Sequence, residues 1–265
     1  MRVIVKGAGD LASGVAVRLF NCGFEVIMTD IPHPTTVRTT VAFSSALVFG
    51  ETVLEGITAR SVKNSREALD CCRNGIIPVL PDEEGKIVGE IDFDVLVDAI
   101  LAKRNLGTKI HHAATVIALG PGFTAGIDCH AVVETKRGHY LGSVIYDGCA
   151  IPNTGIPGEI GGFSAERIIR SPDSGTWLPG KKIGDLAEKG DLLAHVDTGK
   201  EKIPVHAAIS GVVRGMLFPE TAVTPGFKCG DIDPRGKTEY CLSVSDKARA
   251  VAGGVLEAIL SLRKV

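Results

Sequence analysis

The stretch RVIVKGAGDLASGVAVRLFNCGFEVIMTD, residues 2–30, constrains the fold more than any other part of the chain. An apolar run ends in glycines, a segment with helical spacing follows, and a second apolar run ends in an acid. Gly7, Gly9 and Ala12 fit the spacing G-x-G-x-x-G/A. In such a turn the first glycine permits a sharp exit from a strand, the second lets a phosphate approach the backbone, and the small third residue lets the helix pack closely. Free N–H groups at the helix start then face an anion. Asp30 stands where a carboxylate accepts bonds from a ribose 2′-OH. Asp10, inside the loop, argues the other way. Its carboxylate can cap the helix and compete for the N–H groups a phosphate would use, which leaves a strand–helix unit that binds no nucleotide.

The first half continues in alternation. VIV at 3–5 and FEVIM at 24–28 read as strands, with a helix over 11–22 stopped by Gly23. A third strand is expected within 52–62, a short helix capped by Ser65 carries Cys71 and Cys72, and strands follow at 75–80 and 115–120, with an amphipathic helix over 93–103 between them. This pattern predicts an α/β, Rossmann-like parallel sheet covered on both faces. Right-handed crossovers would put the loop at residues 7–10 and the loops after Asp30 and Gly120 on one edge, where open sheets bind ligands.

Composition excludes several functions. With 265 residues, two domains are the expectation. A net charge of −2 and 5% aromatic residues disfavour nucleic acid and acidic membranes as partners. No run reaches membrane-spanning length, and the start of the chain lacks the pattern of a secretion signal. Cys22, Cys71, Cys72, Cys129, Cys149, Cys229 and Cys241 form no C-x-x-C pair and read as reduced thiols of a cytoplasmic protein.

The segment 120–148 opens with Gly120 and Gly122 and then alternates like a hairpin carrying Asp128, Cys129, His130 and Glu134. A thiol beside an imidazole can be held as thiolate and act as nucleophile or sulfur carrier. The alternative is a small buried cysteine, since adjacent strand residues point to opposite faces. His111 and His112 read as a loop pair without metal-ligand spacing, and no metal site is expected. Arg38, among threonines after Asp30, could hold an anionic group or belong to an ordinary polar loop.

The Pro- and Gly-rich run at 149–162 marks a linker or flap, and a domain boundary is expected near Arg170. Beyond it the chain repeats itself: SPDSGTW at 171–177 is echoed by AAISGVV at 207–213, and Gly175 and Gly190 by Gly211 and Gly226. Two such β units predict a small barrel-sandwich like that of biotinyl and lipoyl carriers, with a closing helix capped by Ser245. Lys200 sits where those carriers are modified, but in the context DTGKEKIP, so no covalent lipoyl or biotinyl group is expected. Asp231, Asp233 and Arg235 read as a Pro-fixed turn with an internal ion pair.

Four motifs together carry a family resemblance: GAGDLASG, GPGFTAGIDCHAVVETKRGH, PNTGIPGEIGG, and SGVVRGMLFPETAVTPGFKCGDIDPRG with its closing SDKARAVAGGVLEAIL. Nearly the whole chain resembles the YqeB-type accessory proteins of selenium-dependent molybdenum hydroxylases. These are related in their Rossmann-like part to the XdhC/CoxF maturation factors. The resemblance implies a maturation role: handling a molybdopterin cofactor, or delivering sulfur or selenium to its metal. It marks Gly7, Gly9, Asp10, Asp128, Cys129 and His130 as candidate positions.

The leading expectation is a sheet edge holding a phosphate-bearing ligand, a molybdopterin-type cofactor or NAD(P), with Cys129 as a thiol or persulfide relay and a molybdenum hydroxylase as client. A homo-oligomer is compatible with it. One rival is an NAD-dependent oxidoreductase using Gly7, Gly9 and Asp30, for which no acid/base residue can be named. The other is a scaffold in which the β domain does the docking.

Overall fold

The computed structural model describes residues 1–155 and 157–263; Ile156, within the 149–162 run, lies outside the described residues. The chain divides into two compact units. The first takes Met1–Pro34, Ala42–Thr154 and the chain from Val244 onward; the second takes Thr35–Val41 and Gly155–Ser243. The boundary expected near Arg170 is therefore corrected: it falls earlier, and the closing helix belongs to the first unit.

The first unit contains β1 (Arg2–Lys6), α1 (Asp10–Asn21), β2 (Glu25–Asp30), α2 (Ser45–Phe49), β3 (Glu51–Leu54), β4 (Ile57–Ser61), α3 (Ser65–Arg73) and β5 (Ile77–Pro81). It continues with β6 (Val95–Asp98), β7 (Thr115–Leu119), β8 (Thr124–Ala125), β9 (Ala131–Val133), β10 (Val144–Ile145), β11 (Gly148–Cys149) and α4 (Asp246–Leu262). Nine strands form one sheet in the order β10-β9-β7-β6-β1-β2-β5-β4-β3. The pairs from β9 across to β4 are parallel, and β10 and β3 close the two edges antiparallel.

This corrects the expected Rossmann-like fold. The sheet is mixed, and the connections from β5 to β6, β6 to β7 and β7 to β9 contain no α-helix. One face is not covered by a layer of helices. Ile4, Ile27, Leu80, Leu96, Val116 and Val132 pack there against Ala68 and Cys71 of α3, and the rest of that core is filled by loop residues such as Ile87, Phe123 and Ala150. The helix expected over 93–103 is strand β6 and a loop. Val95, Leu96 and Val97 are consecutive and all buried, as in a strand covered on both faces. Leu101 and Lys103 take positive φ, which ends any helical path. The region 52–62 is a hairpin of two strands, not one. Asn64 caps α3 where Ser65 was the expectation, its side chain accepting from the Glu67 N–H at 2.9 Å.

Helix α4 starts at the Ser245 cap, whose hydroxyl accepts from the Ala248 N–H, and buries Val251, Val255 and Ile259. It packs on α1, where a side chain on Gly14 would begin 2.7 Å from the Ala248 Cβ.

The second unit holds β12 (Ile168–Arg170), β13 (Gly175–Pro179), β14 (Leu186–Ala187), β15 (Leu192–Asp197), β16 (Lys202–His206), β17 (Gly211–Met216), β18 (Ala222–Val223) and β19 (Lys228–Asp233). The expected barrel-sandwich over 171–265 is corrected as well. The strands divide between two separate antiparallel sheets, β12-β19-β17-β14 and β16-β15-β13-β18, and the unit draws on 35–41 and 155–170 while leaving out the closing helix. The internal repeat is present in this arrangement. Gly175 and Gly211 open equivalent strands, and a side chain on either would run into a backbone carbonyl, that of Asp197 or of Asp233. Each repeat lends its short second strand to the other sheet: β14 pairs with β17, and β18 with β13.

Gly14→Val forces bulk into the closest approach of α1 and α4. We expect a loss of about 1–3 kcal/mol, seen as a lower urea midpoint with an unchanged slope. An unchanged midpoint would mean the two helices do not meet at Gly14.

Candidate functional site at the sheet edge

Parallel strands β1, β2, β6 and β7 bring their C-terminal ends to one edge of the first unit. Here the glycine loop follows β1. Gly7 has φ +96° and gives its N–H to the Thr29 carbonyl at 2.8 Å. A Cβ on Gly7 would lie 2.8 Å from the Ala99 carbonyl oxygen. The close approach that glycine permits is therefore made by the protein's own backbone leaving β6.

The next residues are engaged in the same way. The Ala8 N–H donates to the Asp30 carboxylate at 2.8 Å, and the Ala8 carbonyl accepts from the Ser13 hydroxyl and the Ser44 N–H. The second Asp30 oxygen accepts from the Ile31 N–H at 2.8 Å. Asp30 is thus a strand-end tie, not a ribose acceptor standing ready. Burial raises its pKa above the ordinary carboxylate value, and the Ala8 and Ile31 amides pull it partway back. Gly9 is the N-cap position of α1 without a side-chain cap, and Asp10 accepts from the Leu11 N–H at 2.9 Å. The reading in which Asp10 takes a helix-start donor is the one the geometry supports.

A buried polar network lies at the same edge and was not singled out from the sequence. Lys6 ends β1 with 6% of its surface exposed. Its ammonium donates to the Thr108 hydroxyl at 3.0 Å and stands 3.9 Å from Asp98 at the end of β6. Thr108 donates in turn to Asp98 at 2.6 Å. Asn105 accepts from the Thr108 N–H and donates to Asp128 at 3.2 Å. His112 lies near enough to feel the Lys6 charge: burial first, then His111, Lys6 and Lys109, hold its pKa below the usual histidine value. The only sequence signal was a lysine in an apolar strand immediately before the glycines.

The other predicted residues are not gathered here as a catalytic set. Cys129 is fully buried in the core, and its thiol is pushed up to about 12 by burial and by the Asp128 charge. It is a protonated core thiol, which corrects its expected part as nucleophile or relay. His130 uses Nδ1 to accept from the Val116 N–H at 2.9 Å, so the neutral ring carries its proton on Nε2. Glu134 is buried and accepts from the Lys136 and Ile151 amides, both at 2.7 Å. These two side chains pin loops, and among the described residues neither is hydrogen-bonded to the thiol. Asp128 accepts from the Thr124 N–H at 2.7 Å and from Asn105, so it closes its own turn.

Gly120 packs on the Thr135 side chain, and a Cβ on Gly122 would sit 2.6 Å from the Arg104 backbone nitrogen. Neither leaves a phosphate cradle. Arg38 belongs to the second unit, where it donates to the Tyr240 carbonyl at 3.0 Å. Lys200 lies in the β15–β16 turn, and Asp233 and Arg235 form the expected ion pair at 2.6 Å. An open cleft of about 340 Å³ in the first unit is lined by Asp82, Glu83, Glu84 and Glu90 against Lys63 and Lys86, a balance that repels anions. Among the described residues, no group of three His, Cys, Asp or Glu side chains could hold a metal ion, and no helix is long and apolar enough to cross a membrane.

No family model matches the chain. The uncharacterized protein YqeB of Escherichia coli (strain K12) is 52% identical over 260 residues, which make up 98% of this chain and 47% of that protein. The chain thus spans about half the length of the curated relative it matches. A succinylglutamate desuccinylase structure from Silicibacter sp. TM1040 aligns with 87% of this chain and 84% of its own at 11% identity, with a TM-score of 0.27. A succinylglutamate desuccinylase/aspartoacylase from Rhodobacter sphaeroides aligns with 26% of this chain and 22% of its own at 17% identity, with a TM-score of 0.24. These neighbours bear desuccinylase and aspartoacylase names where the motifs lead one to expect maturation factors, and TM-scores of this size establish no common fold.

Thiol chemistry separates the cysteines. At pH 8, Cys22 and Cys149, which are exposed, are expected to take a thiol reagent in the native protein, and Cys129 only after unfolding. Labelling of Cys129 in the folded state, located by peptide mass, would restore it as a reactive group.

Proposed function

We propose that this chain is an accessory protein of a selenium-dependent molybdenum hydroxylase, and that its first unit holds a phosphate-bearing ligand of the molybdopterin type at the C-terminal edge of the sheet. The observation that carries this reading is Lys6. A lysine taken out of water is costly unless its charge is answered, and this one is placed at the end of the central strand directly before the glycine loop. The ammonium has three donors. Thr108 and the longer contact to Asp98 take two of them, which leaves a direction for a ligand oxygen. The motif resemblance along the chain supports the accessory role, and the likeness to YqeB supports the family named in that resemblance.

The ligand is held, not sulfurated, in this reading, because the buried Cys129 thiol has no thiolate to offer. Asp30 favours a pterin phosphate over a dinucleotide. Both of its oxygens are given to backbone amides, and a ribose would have to displace them.

The test uses protein produced in a host that makes molybdopterin. Denatured, oxidised extracts of the purified protein are assayed for pterin fluorescence and, in parallel, for NAD(P). We expect pterin with the wild-type chain and at least about tenfold less with Lys6→Met, the loss of one charge-assisted hydrogen bond. Extracts that hold NAD(P), or neither compound, contradict the proposal.

A further inference from the structure

Among the described residues, every sheet edge but one is blunted. Strands β8, β10, β11, β14 and β18 are two residues long. Strand β12 has three residues and a register shift, and β16 carries Pro204 and pairs with β15 through a shift of its own. Short, bulged or proline-bearing strands protect an edge from pairing with another chain. Strand β3, the other end of the nine-stranded sheet, has none of these devices. It runs four residues, Glu51–Leu54, without proline or lysine, and pairs with β4 in unbroken register.

Local geometry fixes which backbone groups of β3 face outward. Glu55 and Gly56, both at positive φ, make a two-residue turn, so Leu54 and Ile57 flank it as a hydrogen-bonded pair. The Ser61 N–H donates to the Gly50 carbonyl at 2.8 Å, in phase with that pair. Thr52 and Ala59 are then the hydrogen-bonded pair between them, and Glu51 and Val53 turn their N–H and C=O groups away from β4. Those four groups have no hydrogen-bond partner among the described residues. Apolar side chains accompany them: Val53 is 58% exposed, and Val48 and Phe49, just before the strand, are 46% and 69% exposed. The Glu51 carboxylate is answered within its own chain by Arg60 at 2.7 Å.

A second copy of the same edge satisfies these groups. In an antiparallel pair about a two-fold axis, Glu51 of each chain exchanges N–H···O bonds with Val53 of the other, which uses all four outward groups of both strands. Thr52 then faces its own copy at the axis as the closer, non-hydrogen-bonded pair, about 4.5 Å between Cα atoms. Facing threonines suit a sheet, and Val53 meets Val53 on the diagonal. The neighbouring register, with Val53 opposite Val53, would set Glu51 against Glu55 of the second copy, and like charges directly opposite are unfavourable. Hydrogen bonding and charge therefore select the same register.

We propose that β3 is a homodimerisation edge: two copies of this chain join their β3 strands antiparallel about a two-fold axis at Thr52, and the sheet continues from one copy into the other. The contact uses the same patch on both chains, so it closes on itself as a dimer.

Sedimentation of the full chain is expected to give twice the mass of one chain. Val53→Pro removes an N–H that faces away from β4, and it is expected to weaken the dimer at least about tenfold, with an unchanged far-ultraviolet circular dichroism spectrum. Val53→Glu keeps the backbone intact and sets a carboxylate beside Glu51 of the second copy; it is expected to weaken the dimer as well, whereas Val53→Lys keeps it. Thr52→Cys, with copper–phenanthroline as oxidant, is expected to yield a disulfide between position 52 of two chains, located by peptide mass. A wild-type chain that stays monomeric at about 100 μM overturns the proposal and would leave the edge to a different chain. A dimer that Val53→Pro and Val53→Glu leave at wild-type affinity, or one in which Thr52→Cys forms no such cross-link, also overturns it and would place the interface elsewhere.

Discussion

One carboxylate ties the two central strands together at their ends. Asp30 finishes β2, and its oxygens accept from the Ala8 amide just beyond β1 and from its own neighbour Ile31. Unpaired amides at the exit of a buried strand must find acceptors, and here a side chain supplies one. With that bond in place the loop at residues 7–10 is held against Ala99 and Ser44, and α1 starts from a fixed point. The same bond removes the feature on which a dinucleotide site would rest. The edge keeps its polarity through Lys6, Thr108 and Asp98, a chain of donors and acceptors buried behind the loop.

The legible parts of the chain are those where local pattern and burial agree. Strands β1, β2 and β7 and helix α1 lie where apolar runs, the glycine turn and Gly23 place them. The Ser245 cap of the closing helix was equally readable. The matching steps from Gly175 and from Gly211 announced a duplicated β unit, because each glycine answers an equivalent close carbonyl, that of Asp197 or of Asp233. What failed depends on tertiary placement. Residues 93–103 have helical spacing, yet the slot beside β1 takes 95–98 as a strand. A helical layer on each face is an inference from alternation, and the loops carrying Ile87, Phe123 and Ala150 do that work on one face instead.

The candidate site was legible in position and not in its members. Adjacent Cys129 and His130 suggested a reactive pair, but strand geometry sends them apart, one into the core and one to the Val116 amide. Gly120 and Gly122 are glycines because their own chain passes close, a requirement that looks the same in sequence as space for a phosphate. Lys6 escaped notice since a lone lysine in a strand is usually an edge or surface residue. Its meaning comes from Asp98 and Thr108, which are far away in sequence. Arg38, which the sequence left between an anion holder and a member of an ordinary polar loop, lies in the second unit and donates to the Tyr240 carbonyl.

The account stands on the Asp30 tie, and carbon-13 NMR of the Asp30 carboxyl during a pH titration tests it most directly. Burial should place its midpoint above the ordinary carboxylate value of 3.8, with the Ala8 and Ile31 amide proton signals shifting at that same midpoint. An Asp30 that titrates at the ordinary value while the Ala8 amide stays indifferent would show that the strand ends are not joined this way, and the edge would then be open to a ligand on quite different terms.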